Sequence, residues 1–226
     1  MRAIIAFLGL CATLGAPLGA AETVQAVLAR MDREADGFSQ LTARLQRVTY
    51  TAILNDTEKE SGAIWLKRSG AKIEMRGEIF GDDARSFGVR GSEGQMYYPK
   101  MKTVQIYDLG KARSLVDQFL LLGFGSSGKD IQKNYTVKVA GEEVVGGQKT
   151  TRLELIPKSK QMQEQITRVE VWIPLNAGHP VQQKFWKPAN NYDLVAYSDI
   201  KVNPGLPDSA FRLALPADVK PEYPQK

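Results

Sequence analysis

Alternation of apolar and polar residues with a period of two runs through most of this chain, and it constrains the fold more than any other feature. It is clear at Leu153 and Leu155, and again at Val169, Val171 and Ile173. Successive side chains of a β-strand point to opposite faces, so this spacing predicts half-buried strands. The predicted strands run approximately over 42–53, 62–68, 72–76, 85–90, 95–98, 103–107, 134–140, 150–156, 167–173, 181–186, 192–202 and 210–215.

The connections between these strands are short and rich in Gly, Asn, Asp and Pro. Examples are "YPKMK" at 98–102, "EEVVGGQ" at 142–148 and "PLNAGHP" at 174–180. Such segments are typical of hairpin turns. Most neighbouring strands lack the crossover of about a dozen residues that parallel pairing needs, so the sequence predicts one antiparallel sheet, wide enough that it must curl.

Two helices interrupt the strand pattern. The first begins at Val24 and is expected to end at Gly37, with apolar residues at helical spacing. The second is expected over 111–124, and its latter half is apolar almost all round, which predicts an apolar contact beyond its own core. Helices of roughly 14 residues span only about 21 Å each, so they can cover the inside of the sheet only in part. This predicts apolar space left unfilled, which is a first indication of a cavity.

The N-terminal residues have the features of a secretory signal peptide. Arg2 precedes an apolar run over 3–14, and small residues stand at 19–21. We therefore predict a signal peptide over 1–21, a single domain over 22–226, and export. Cys11 is the only cysteine, and Leu10 precedes it where lipid attachment would need a small residue. The mature chain is thus expected to lack disulfides and thiolate chemistry.

The charge pattern gives little support to nucleic-acid binding. The chain carries 30 basic and 25 acidic residues, a net charge of +5. Cleavage after residue 21 removes only Arg2 and leaves +4. Both signs are scattered along the strands rather than gathered in a basic block, so no nucleic-acid partner is predicted.

Catalytic constellations are absent from the sequence pattern. His179 is the only histidine and stands in a predicted turn, so neither a zinc site nor a histidine-activated serine triad can be assembled. The "GFGSSG" run lacks the spacing of a nucleophile elbow, and Asp82 and Asp83 lack calcium-loop spacing. We predict no catalytic residue, no metal and no cofactor, with a lipid hydrolase as a less favoured alternative.

Several longer stretches together resemble the periplasmic carriers of outer-membrane lipoproteins, the LolA family. The stretch "GAIWLKRSGAKIEMRG" at 62–77 is similar to one hairpin of that family, and "EGQMYYPKMKTVQIYDL" to the next. "SLVDQFLLLGFGSSGKDIQKNYTV" resembles its lid helix and following strand, and "PDSAFRLALPADV" its closing strand. The resemblance covers nearly all of the mature chain.

This resemblance implies a mainly-β fold with some α-structure. It would be an incomplete antiparallel β-barrel of about eleven strands, with helices covering the concave apolar side. It also implies a function: a periplasmic, monomeric carrier that shelters the acyl chains of lipid-modified proteins between the inner and outer membranes. The implied partners are an inner-membrane lipoprotein-releasing transporter and, if present, an outer-membrane acceptor.

Three other interpretations of the same fold stay open. A membrane-anchored acceptor would need a lipidated cysteine. A periplasmic stress sensor would act on an anti-sigma factor, and usually carries a second domain. A general apolar-ligand binding module would have no link to lipoprotein sorting.

The resemblance also carries over site residues. Arg68 matches a strand arginine that hydrogen-bonds to the backbone of a covering helix and latches the closed form, although Ser69 stands where the family usually has Pro. A slip of one residue in any strand would exchange the inward and outward sets. Alternation and the family match together predict an acyl-chain cavity lined by Trp65, Ile73, Met75, Phe87, Val89, Met96, Tyr98, Val104, Ile106, Phe119, Leu120, Leu122 and Phe124.

Overall fold

A twelve-stranded sheet forms most of the computed structural model. The model describes residues 22–70, 72–113, 116–117 and 122–225, and for Lys111 it describes only the backbone. In chain order the strands are β1 (Gln40–Thr51), β2 (Asp56–Ser69), β3 (Lys72–Ile79), β4 (Arg85–Arg90), β5 (Glu93–Tyr98), β6 (Thr103–Asp108), β7 (Tyr135–Val145), β8 (Gln148–Pro157), β9 (Arg168–Pro174), β10 (Gln182–Trp186), β11 (Tyr192–Val202) and β12 (Lys220–Glu222). The order across the sheet is β12-β6-β5-β4-β3-β2-β1-β11-β10-β9-β8-β7. Pairing is antiparallel except between β12 and β6.

The sheet curls without closing. Met96 on β5 and Phe185 on β10 line the same cavity, whose volume is ≈ 350 Å³. Six strand spacings separate β5 from β10, which would be about 29 Å in a flat sheet. Only a strongly curved sheet can bring both side chains to so small a space. The predicted mainly-β fold, an incomplete antiparallel barrel with helices, is therefore confirmed.

Helix α1 (Val24–Asp36) defines the inner face of the sheet. The Thr23 hydroxyl caps its first turn by accepting from the N–H of Ala26 at 3.2 Å, and Gly37 ends it as predicted. Its buried Leu28 and Met31 join Leu153 of β8 in one core cluster. We call the sheet face against which α1 packs the inner face.

Two further α-helices lie wholly within the described residues. Helix α2 is Gly128–Asn134 and α3 is Lys160–Gln163. The helix predicted over 111–124 falls largely on residues outside the described part. Arg113 and residues 116–117 are helical as predicted, but 122–125 form a turn, so no helix extends to Phe124. Nowhere in the described ranges is a helix both long enough and apolar enough to cross a bilayer.

The strand predicted over 210–215 is wrong. The chain forms a 3-10 turn at Asp208–Phe211, with Phe211 buried, and then runs along the outer face without pairing. A Cβ built on Gly88 would lie 3.2 Å from Cγ of Leu213, so this apolar segment packs on the outside of β4. The twelfth strand is instead β12, which pairs with β6. Alternating apolar residues here cover the sheet rather than extend it.

Polar contacts fix α1 to the β9–β10 connection. Arg30 Nε donates to the Ala177 carbonyl at 2.9 Å. The Glu34 carboxylate accepts from the Gly178 N–H and pairs with Nδ1 of His179. Burial on its own raises the pKa of Glu34, but the hydrogen bonds and charge of His179 and the N–H of Gly178 outweigh burial and hold this pKa below its usual 4.5.

The lowered pKa predicts a pH-dependent contribution of Glu34 to stability. The carboxylate stabilises the fold above its usual pKa, and this contribution is lost as the pH falls through the folded-state value. We expect Glu34→Gln to lower the free energy of unfolding at about pH 7 and to lower it by less at about pH 3. Urea denaturation at both pH values measures this, with the exposed Asp36→Asn as control. A pH-independent difference would contradict it.

Candidate functional site

An apolar cavity of ≈ 350 Å³ occupies the inner face. It lies at the low end of the range of about 300–1,000 Å³ found for small-molecule sites. Each lining strand presents alternate residues to it, as a pleated sheet requires. Its lining residues are Leu45, Arg47, Ile64, Leu66, Met75, Ile79, Arg85, Phe87, Met96, Phe124, Gln183, Phe185, Asp193, Val195 and Tyr197.

Four of the residues predicted from the sequence border this cavity: Met75, Phe87, Met96 and Phe124. Strand pairing brings three of them together. Phe87 of β4 lies opposite Met96 of β5, and Met75 of β3 lies opposite Val89, the next inward-facing residue of β4. Antiparallel partners directly opposite each other point to the same face. The predicted sequence neighbours therefore form one patch of the cavity wall.

Four other predicted residues are on the inner side of the molecule but outside the lining. Ile73 and Leu122 are buried in the two core clusters, at 3% and 2% exposure. Val89 shares the strand face of Phe87, and Tyr98 that of Met96. Phe119 and Leu120 lie outside the described residues.

The cavity assignment of Trp65, Val104 and Ile106 is corrected by the sheet register. Trp65 lies between Leu66 and Ile64, both of which line the cavity, so it points to the outer face. There the guanidinium of Arg76 lies over its ring, 3.8 Å from the centroid.

The correction on β6 has the same cause. Val104 pairs with Tyr97, and Ile106 with Gln95, whereas Met96 pairs with Gln105. The two apolar residues of β6 therefore share the face opposite to Met96. On both strands the predicted set of inward-facing residues was displaced by one position, which exchanges the inner and outer faces.

Arg68 joins three parts of the molecule. Its Nη2 donates to the carbonyl of Ala35 in the last turn of α1 at 2.8 Å, and its Nη1 donates to the carbonyl of Gly125. Its guanidinium also lies 5.8 Å from the ring centroid of Phe38. The planar guanidinium can bond two carbonyls at once because it offers five donors. Arg68 is therefore placed as the predicted latch requires.

We call residues 110–125 the lid segment, of which 110–113, 116–117 and 122–125 are described. Its beginning is fixed by Arg113, which donates to the carbonyls of Gly91 and Ile73, the latter at 2.8 Å. Its end turns sharply at Gly125, where φ is +77° and a Cβ would lie 2.4 Å from the Phe38 ring. Only glycine fits this backbone position without strain.

Gln183 and Tyr197 form a second attachment of the lid segment, which sequence reasoning missed. Gln183 is 2% exposed, and its Nε2 donates to the Leu122 carbonyl at 2.7 Å. Its Oε1 accepts from the Tyr197 hydroxyl, also at 2.7 Å. Burial raises the pKa of Tyr197 far above its usual value, so the hydroxyl stays protonated and donates. The sequence signal was a polar Gln at an inward position of an otherwise apolar row.

Phe124 plugs one end of the cavity. Its ring meets that of Tyr197 edge-on, with centroids 5.0 Å apart, and lies beside His179 at 6.3 Å. It is 3% exposed. Edge-to-face contacts of this kind add about 0.5–1.5 kcal/mol beyond area burial. The lid side chain thus occupies apolar space that the cavity walls would otherwise expose.

The opposite end of the cavity is charged. Arg47 Nη2 lies 3.0 Å from Asp193 Oδ1, and Arg47 Nη1 3.4 Å from Glu60 Oε2. Arg85 Nη2 lies 2.5 Å from Glu60 Oε1, and Lys187 pairs with Asp193. We call these five residues the charged rim.

The carboxylate of Asp193 is held ionised within this rim. Burial raises its pKa, but the hydrogen bonds from Lys187, Thr49 and Arg47 and the charge of Arg47 outweigh burial, so its pKa lies below the usual 3.8. The Thr49 hydroxyl donates to Asp193 Oδ1 at 2.9 Å. Asp193 therefore contributes a negative charge to the rim at neutral pH.

The described residues contain no group of three or more His, Cys, Asp or Glu side chains placed to hold a metal ion. His179 is engaged with Glu34 and holds α1 in place. The arrangement that the site does offer is physical: an apolar space, a buried aromatic side chain at one end and a charged group at the other.

The second lid attachment gives a stability prediction. Gln183→Leu leaves the Leu122 carbonyl and the Tyr197 hydroxyl unpaired, so we expect the free energy of unfolding to fall by about 2–4 kcal/mol. Tyr197→Phe should cost about 1–2 kcal/mol, and the double variant less than the sum. Urea denaturation measures all three. Gln182→Leu, on the outer face of the same strand, is the control, and an equal loss there would contradict the attachment.

No protein-family model and no curated protein sequence matches this chain. Among solved structures, a conserved uncharacterised protein of Thermus thermophilus is similar at a TM-score of 0.56 and 11% identity, covering 88% of this chain and 98% of that one. MucB is similar at a TM-score of 0.52 and 11% identity, over 84% of this chain and 62% of MucB. MucB has also been crystallised with MucA, both from Pseudomonas aeruginosa.

A LolA superfamily protein from Nitrosomonas europaea is a more distant neighbour. It has a TM-score of 0.40 and 13% identity, over 85% of this chain and 99% of that one. Similarity at these identities concerns the fold alone. The Thermus thermophilus protein and MucB, the two neighbours with TM-scores above 0.5, share the overall fold of this chain.

Proposed function

We propose that this protein is a periplasmic carrier that shelters the acyl chains of lipid-modified proteins and delivers them from the inner to the outer membrane. The observation that carries the proposal is the apolar cavity plugged by Phe124 of a lid segment held through backbone carbonyls. We further propose cleavage after residue 21, a single domain over 22–226, and no catalytic step. The proposed partners are an inner-membrane lipoprotein-releasing transporter and an outer-membrane acceptor.

The energetics of an acyl chain suit such a site. Each methylene that leaves water contributes roughly 0.8 kcal/mol, so an exposed lipid anchor is strongly driven into apolar space. A carrier must nevertheless release its cargo. Loading exchanges lid contacts for ligand contacts, so the lid contacts subtract from the net affinity. The bonds of Arg68 and Gln183 to the lid segment provide this opposing contribution.

The size of the closed cavity supports a lid that opens. At ≈ 350 Å³ it accommodates one small apolar ligand. A lipid anchor with two or three chains needs more space, which Leu122 and Phe124 would release by leaving the inner face. Both side chains are buried in the closed form, at 2% and 3% exposure.

A second candidate is a sensor module of the same fold. The likeness to MucB, which forms a complex with MucA, favours it. Such a module would act through a protein partner rather than through acyl cargo. The acyl-binding experiment below distinguishes the two, because only the carrier requires the cavity to be filled by an alkyl chain.

The cavity proposal predicts that filling the space blocks acyl binding. Val195 lines the cavity, and Val195→Trp should occupy it and weaken binding of a fluorescent acyl probe by about tenfold or more. Leu194 is the next residue on β11 and points to the outer face, so Leu194→Trp is the matched control and should leave binding unchanged. Fluorescence titration measures both. Equal binding by the two variants would contradict the cavity as the acyl site.

The latch proposal predicts tighter loading when Arg68 is lost. Arg68→Leu removes two charged hydrogen bonds of the closed form, so the acyl probe should bind about tenfold or more tightly and leave more slowly. In cells, this variant should accumulate with lipoprotein bound. Lys67→Leu, on the adjacent outward position of β2, is the control. Unchanged affinity and release in Arg68→Leu would rule out the latch.

A further inference from the structure

The cavity is chemically different at its two ends. At the lid end, Phe124 and Gln183 are 3% and 2% exposed. At the charged rim, the side chains of Arg47 and Arg85 are 33% and 22% exposed. A ligand with an alkyl tail and a polar head therefore fits in one direction only, with the tail toward the lid and the head at the rim.

The strands give the depth of this arrangement. On β11, Asp193 stands at the rim and Tyr197 touches the lid residue Phe124. Four residues of extended chain separate them, which is about 13 Å. On β2 the same inner row runs from Glu60 at the rim to Arg68 at the lid. An extended alkyl chain placed along β11 thus lies between apolar walls and ends beside the rim.

The sign of the rim favours an anionic head. Among the described residues that line the cavity, the charged ones are Arg47, Arg85 and Asp193, so the lining carries one surplus positive charge. Glu60 lies between the two guanidinium groups and holds each of them in place. A guanidinium presents several N–H donors in one plane, which matches the oxygens of a carboxylate or phosphate.

From this geometry we propose that the cavity selects amphiphiles with an anionic head, a carboxylate or a phosphate, which the charged rim binds through Arg47 and Arg85. The inference rests on the acyl-chain cavity proposed above and names a further class of ligand for it, because the acyl groups of a lipoprotein anchor are uncharged esters and amides. It assigns the rim to ligand selection, while the lid end sets whether the tail is admitted.

Ligands that differ only in the head group test this on the unaltered protein. Dodecanoate, dodecyl phosphate, dodecanol and dodecylammonium are titrated below their micelle concentrations by displacement of the acyl probe. We expect the carboxylate or the phosphate to bind about tenfold more tightly than the alcohol, with the ammonium weakest. The preference should shrink as salt is raised. The tighter of the two anions identifies the head.

Two variants with the same change of charge locate the effect. Arg85→Gln removes a cation of the rim, and should bring dodecanoate and dodecyl phosphate to within about twofold of dodecanol while leaving dodecanol binding unchanged. Lys59 lies on the outer face of β2, next to Glu60, so Lys59→Gln is the matched control and should keep the preference. Thermal unfolding checks that both variants are folded; if Arg85→Gln is not, Arg47→Gln replaces it.

The outcomes separate this inference from the carrier proposal. Equal binding of all four ligands would overturn the selection by the rim and leave the acyl cavity intact. A preference for the ammonium, or an anion preference that survives both Arg85→Gln and Arg47→Gln, would also overturn it. Binding of none of the four would overturn the acyl cavity and the inference together.

Discussion

The inner face of the curled sheet is apolar over more strands than α1 can cover, and the rest of the structure follows from this excess. Helix α1 packs on one half of the sheet, where Leu153 and Val171 are buried. On the other half, Leu66 and Met75 face inward, and Phe124 covers them only in part. Apolar surface that is neither packed nor exposed becomes a cavity, and any apolar ligand competes with the lid segment for it.

The sequence predicts the strands well because alternation is a local property. Which face an alternating strand presents depends on its neighbours, and here prediction failed in two ways. Trp65 stands in a continuous apolar run from Ala63 to Leu66, so alternation cannot indicate which of these residues face inward. On β6, the apolar residues Val104 and Ile106 do alternate, but they share the outer face of Gly88, where Leu213 of the C-terminal segment packs.

The polar members of the site were missed for a different reason. Gln183 and Arg47 are polar residues in otherwise apolar rows, and this pattern does not indicate which residues they bind. Gln183 is 61 residues from Leu122, and Arg47 is 146 residues from Asp193. Only the folded sheet brings such pairs together. Arg68 was found because a family resemblance supplied the partner that its own surroundings in sequence could not.

The described end of the lid segment, 122–125, is held by its backbone while Leu122 and Phe124 fill apolar space. Arg68 donates to the carbonyl of Gly125, and Gln183 donates to the carbonyl of Leu122. The two hydrogen bonds therefore hold both ends of the four-residue turn that places Phe124 in the cavity. Because Phe124 stands between these two carbonyls in the chain, moving this backbone away from the sheet breaks both bonds and withdraws Phe124 from Tyr197. Breaking one bond loosens the other, and an unpaired buried Gln183 amide is costly. The segment is therefore expected to be either fully docked or fully displaced, which couples admission of an alkyl tail to a single opening step.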